Sequence, residues 1–151
     1  MNSLTEHFFW EDAEITIHRG IDNTIPEDIK PAILNTAKGM ERIRSLLGLP
    51  ITASSWYRCL ELNRAIGSHD TSQHPKGEAV DWICPAFGTP AQIVRKLTKY
   101  KDYIKFDQLI LEHTWIHTSF SAASRGEVLS LLKTGGYAVG ITDNMGNPYY
   151  G

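Results

Sequence analysis

Apolar residues at Ile33, Leu34, Ala37, Met40, Ile43, Leu46 and Leu47 recur at intervals of three and four, the repeat of one helical face. The spacing predicts an amphipathic helix over roughly Pro31 to Leu47, with Pro26-Glu27-Asp28 as its opening and Gly48 and Pro50 as its stop. Arg42 and Arg44 fall toward its solvated side, and Gly39 is the one weak point in the repeat. Beyond Pro50 the pattern shortens. Ile51 to Trp56 opens on two β-branched residues and reads as a strand, and Leu60 to Ile66 is a short helix stopped by Gly67. Ser68 to Gly77 is rich in turn formers, and Glu78 to Cys84 is a second strand. Thr89-Pro90 is an N-cap followed by a first-turn proline, opening a helix to about Tyr100. Asp107 to Glu112, Trp115 to Phe120 and Glu127 to Leu132 read as three further strands. The first twenty-five residues are expected to form an edge strap held by Leu4, Phe8, Phe9 and Trp10, and the tail from Gly135 an irregular cover. Helices before and between mostly adjacent strands predict an α+β domain built on a small antiparallel sheet with flanking helices.

Composition narrows what such a domain does. At 151 residues and 42% hydrophobic content the chain is the right size for a single domain over 1–151. A net charge of -2 with scattered basic residues argues against a nucleic-acid or acidic-membrane partner and for a small or neutral substrate. Cys59 and Cys84 are too few and too far apart for a zinc ribbon or a disulfide framework, and are expected to be free thiols. The N-terminus has no basic region leading into an apolar run, and no stretch is long enough to span a bilayer. The expectation is a soluble protein made in the cytoplasm, which needs another route to act outside it. Nothing in the pattern sets an oligomeric state.

Candidate chemistry gathers in Ser72-Gln73-His74-Pro75-Lys76-Gly77-Glu78-Ala79-Val80-Asp81 and in Trp115-Ile116-His117. Two histidines and one carboxylate suit a catalytic zinc, which keeps its fourth position open. Alternation along the strand from Glu78 puts Ala79, Asp81 and Ile83 on one face, with Val80 and Trp82 on the other. If His113-Thr114 make a two-residue turn, Ile110, Glu112, Trp115 and His117 also share one face, and Leu109, Leu111, Ile116 and Phe120 line the core. Without that turn Glu112 and His117 point to opposite sides. A strand histidine is more often an ordinary polar residue than a ligand, and His7, His18, His69 and His113 are read that way.

The Ser-x-His-x-x-Gly-x-Ala-x-Asp pattern, with the later Trp115-Ile116-His117, resembles the zinc D-Ala-D-Ala carboxypeptidase family. That family includes vancomycin-resistance dipeptidases and phage L-alanyl-D-glutamate endolysins, and its fold resembles the Hedgehog signalling domain. Ile51 to Arg58 with Leu62-Asn63 is similar to the family's Tyr-Arg strand, and Phe8 with Ile21-Asp22-Asn23 to the front of its phage-type members. The resemblance implies zinc ligands His74, Asp81 and His117, and Arg58 as the substrate-binding and oxyanion-stabilising cation. It also implies that Ser72 and Gln73 line the site, with Trp115 as a wall. Where many members have an acid three residues before the last histidine, this chain has Thr114. The base is therefore assigned to Glu112, with His113 as the alternative. The implied substrate is a peptidoglycan stem peptide cut at D-Ala-D-Ala or L-Ala-D-Glu, in a phage lysis or virion-borne setting. Two other classes stay open: a non-haem Fe(II) oxygenase, which uses a similar ligand set, and a non-catalytic zinc-containing wall-binding or virion protein.

Overall fold

The computed structural model describes residues 2–149. The predicted long helix is α2, Lys30–Leu47, preceded by a four-residue α1, Trp10–Ala13, within the strap. Then follow β1 (Thr52–Ser55), α3 (Leu60–Ala65), β2 (Ala79–Ile83) and α4 (Pro90–Thr98). The last elements are α5 (Lys101–Ile104), β3 (Gln108–Leu111), β4 (Ile116–Ser119), β5 (Glu127–Leu131) and β6 (Tyr137–Val139). The strands form one sheet in the order β1-β2-β4-β3-β5-β6. Every neighbouring pair is antiparallel except β3 and β5. That exception follows from the turn after Phe120, which reverses the chain and carries it across the end of β3 to its free edge.

One face of the sheet packs on the helices. α2 buries Ile33, Ala37, Met40, Ile43 and Leu47, and Gly48 closes it at φ 67°, its N–H bonded to the Arg44 carbonyl at 2.9 Å. Arg42 departs from the expected solvated position: its Nε donates to the Ile104 carbonyl at 3.0 Å and its guanidinium lies over the Phe120 ring. Gly39 is the contact point of the two layers, because a Cβ there would overlap the buried Phe120 ring. Gly39→Ala is thus expected to destabilise the fold by about 1–3 kcal/mol despite alanine's better helix propensity. The shift in denaturation midpoint checks this, and a stabilised variant would contradict the packing. Thr89 caps α4 as predicted, with Gln92 reaching back to the Thr89 N–H at 2.9 Å.

Phe8 in the strap is buried edge-on against Trp56, ring centroids 5.8 Å apart. Both cysteines are free, Cys84 buried and Cys59 half-buried as the sulfur cap of α3. The tail is not the irregular cover expected of it. Residues 137–139 form β6 and extend the sheet by pairing with β5. Their run is three residues between glycines, too short for alternation to announce a strand.

Candidate metal centre and active site

The turn at residues 113–114 has the tight form that the site requires. Ile110 pairs with His117 and Leu111 with Ile116, while the Glu112 N–H donates to the Trp115 carbonyl at 3.1 Å. His113 takes φ 67°, a backbone hand that primed hairpin turns use and that histidine tolerates better than most residues. On the other flank of β4, Asp81 pairs directly with His117. Asp81, His117 and Ile110 thus form a row across β2, β4 and β3 on the face away from the helices.

His74 reaches this row from the preceding loop. That loop is pinned to α2 where Thr36 Oγ1 donates to the Gly77 carbonyl at 2.8 Å. Gly77 sits at φ 74° with no room for a Cβ beside Ile29. The Ser72 hydroxyl accepts the His74 N–H at 3.2 Å. The imidazole is 1% exposed, and its Nδ1 lies 2.6 Å from the Trp56 carbonyl. A carbonyl only accepts, so Nδ1 carries the proton and Nε2 presents a lone pair. That Nε2 is buried without a hydrogen-bond donor, and faces Asp81 Oδ2 at 3.4 Å. Asp81 Oδ1 is 2.9 Å from His117 Nδ1.

Donor atoms of His74, Asp81 and His117 all lie within 4.8 Å of one another. A neutral imidazole lone pair aimed at a carboxylate oxygen gains nothing until a cation sits between them, so the donor set fits a divalent metal. Electrostatics agree. Burial holds His74 below the usual imidazole range, in its neutral ligating form. Burial alone would raise the Asp81 carboxyl, but the hydrogen bond from His117 Nδ1 outweighs it and the carboxyl is held below the ordinary carboxylate range.

Around these donors lies a cavity of about 820 Å³, lined by Arg58, Ser72, Gln73, Glu112 and Trp115 as the sequence anticipated. Arg58 Nε is buried without a partner, and burial lowers the guanidinium's pKa against the opposing pull of Asp81. Glu112 is half-buried, and burial pushes its carboxyl up, a trend His117 opposes and Asp81 reinforces. Trp115 stands at the rim. His113 is not among the lining residues: its Nε2 lies 2.8 Å from the Leu131 carbonyl.

Residues 9–119 match the family model of peptidase M15, a span that contains the three donors, Arg58, Glu112 and Trp115. The chain belongs to the peptidase M15 family. It is therefore a metallopeptidase of the zinc D-Ala-D-Ala carboxypeptidase-like group, and its sheet is compatible with that fold. This membership sets the two-histidine, one-carboxylate arrangement in a peptidase rather than an iron oxygenase. No curated protein matches the chain. Among the described residues, no helix is long and apolar enough to cross a membrane.

Tyr137, Asp107 and Arg125 are among the lining residues of this metallopeptidase that went unnoticed in the sequence. Tyr137 arrives on β6, beyond the matched span, where Tyr-x-Val between two glycines was its only trace. Asp107 and Arg125 are 18 residues apart with no shared periodicity. Asp107 is 1% exposed and accepts from Arg125 Nε at 2.8 Å, Nη2 at 2.9 Å and the Arg125 N–H at 3.0 Å. These bonds clamp the turn after Phe120 to the start of β3. The Arg125 hydrogen bonds outweigh burial and hold the Asp107 carboxyl below the usual range. With the folded pKa depressed, the unfolded chain binds the extra proton, so stability rises with pH. The contribution is complete above about pH 5 and drains away as pH falls through about 4 and below. Asp107→Asn is expected to flatten this acid limb in urea unfolding series at pH 3–7. An unchanged pH slope would count against the clamp.

Proposed function

We propose that the chain is a zinc-dependent peptidoglycan hydrolase that cuts an amide bond of a stem peptide, at D-Ala-D-Ala or L-Ala-D-Glu. The observation that supports it most is the set of donor atoms in one cavity with Arg58, whose buried Nε has no partner among the described residues. His74, Asp81 and His117 would hold the zinc, which supplies Lewis acidity to a carbonyl and to water. Among the described residues no carboxylate forms an ion pair with Arg58, so its guanidinium is available to the oxygen on which charge develops; a fixed donor of this kind contributes roughly 3–4 kcal/mol. Glu112, with a carboxyl raised by burial, accepts the proton of the attacking water and returns it to the departing amine. Ser72 acts through the backbone of His74, and Trp115 walls the opening.

Residues 1–151 are read as one peptidase unit. A phage lysis or virion-borne setting is the biological context we favour, on the likeness of Phe8 and Ile21-Asp22-Asn23 to phage-type members. Digestion of purified peptidoglycan, with mass spectrometry of the new termini, tests the reaction. Release of free D-alanine marks the carboxypeptidase, and a new L-alanine C-terminus marks the endopeptidase. Zinc-loaded protein that binds the wall without cutting it would replace this reading with a non-catalytic one.

A further inference from the structure

Gln73 is the side chain of the His74 loop whose orientation a buried charge decides. Its Nε2 donates to Asp107 Oδ2 at 3.0 Å. The other bonds to that carboxylate all come from Arg125, which grips both oxygens. A carboxylate only accepts, so the Gln73 amide has one permitted orientation, amino group toward Asp107 and carbonyl away from it. Its backbone is equally held, the Gln73 carbonyl accepting from the Lys76 and Glu78 N–H groups at 3.2 and 3.1 Å. Among the described residues Gln73 Oε1 has no hydrogen-bond partner, and Gln73 lines the cavity next to His74. The cavity therefore offers a fixed acceptor as well as the Arg58 donor, and a fixed acceptor selects an N–H.

We propose that Gln73 Oε1 accepts a hydrogen bond from a backbone N–H of the peptide substrate flanking the bond that is cut. Asp107 and Arg125 are positioning residues that hold this acceptor without touching the peptide themselves. The proposal rests on the peptidase reading and narrows it: one non-scissile amide N–H of the substrate is read directly. It also gives the pairing of buried Asp107 with Arg125 a role beyond clamping a turn.

The test uses stem-peptide analogues in which each non-scissile amide is replaced in turn by an ester, deleting a single N–H. In the wild-type protein one replacement is expected to cost about 3- to 10-fold, mainly in KM rather than kcat, as for loss of one neutral hydrogen bond. In Gln73→Met that same replacement should cost nothing further, while the other esters behave as in wild type. Asp107→Asn, which lets the Gln73 amide turn over, should show a reduced penalty at the same position with kcat retained. Equal ester penalties in wild type and Gln73→Met would overturn the proposal. Gln73→Met leaves the Asp107–Arg125 pair intact, so it decides the matter even if Asp107→Asn fails to fold. If wild type binds the all-amide peptide without cleaving it, the peptidase reading fails instead. The comparison is then made in Kd by calorimetry, where equal affinity of wild type for amide and ester forms at every position overturns the acceptor role.

Discussion

Asp81→Asn is expected to strip the protein of its metal. Asp81 is the centre of the donor set, each carboxylate oxygen facing one histidine, at 2.9 and 3.4 Å. Asparagine keeps the shape and removes the charge, and it turns an amino group toward one of the two imidazoles. His74 is locked by the Trp56 carbonyl with its lone pair inward, so it cannot rotate to compensate. Loss of outer-shell partners typically costs 10–100-fold in metal affinity, and loss of a charged ligand should exceed about 100-fold. Metal analysis after dialysis against a weak chelator gives the direct readout. Thermal unfolding gives a second: zinc at about 100 times its Kd should stabilise wild type by roughly 2.7 kcal/mol and leave the variant unmoved. An Asp81→Asn protein that keeps one equivalent of zinc would remove Asp81 from the ligand set.

Glu112→Ala should do the opposite, keeping the metal and losing the reaction. General base catalysis contributes about 10²–10⁴-fold, and a fall of that order in kcat/KM is expected at unchanged zinc content. The pH profile adds an independent mark. Burial raises the Glu112 carboxyl, and a base works only when deprotonated, so activity should rise with pH along a limb above the ordinary carboxylate range. That limb should vanish in the variant. His113→Ala, by contrast, should leave the profile in place, since His113 turns its Nε2 to the Leu131 carbonyl and stays out of the cavity. Wild-type activity in Glu112→Ala would return the base to another group.

The long helix and the strands that carry the candidate donors were legible because their signals are patterned. Leu109 and Leu111, opposite Thr118 and Ile116, all lie buried in the observed register, and shifting it by one residue would turn Thr118 and Ile116 off that face. That register in turn imposes the His113-Thr114 turn, although neither residue advertises one. The four-residue helices α1 and α5 fall below the length at which a repeat can be read. The parallel pairing of β5 with β3 depends on where a loop crosses the sheet, and the Asp107–Arg125 clamp that secures the crossing joins residues with no local pattern. Gly39 illustrates the middle case. A residue that weakened the helical reading turns out to be where the helix must touch Phe120.

The family match stops at residue 119, but the sheet does not. Leu129 and Tyr137 wall the cavity from β5 and β6, whereas the donors belong to β2, β4 and a loop bolted to Trp56 and α2. Metal chemistry and this wall are thus housed in separable stretches of chain. The hairpin of residues 127–139 carries wall positions and no candidate donor, so changes at Leu129 and Tyr137 are expected to reshape what the cavity admits without replacing a candidate ligand. A library confined to that hairpin would retune substrate range while leaving zinc stoichiometry constant across its members.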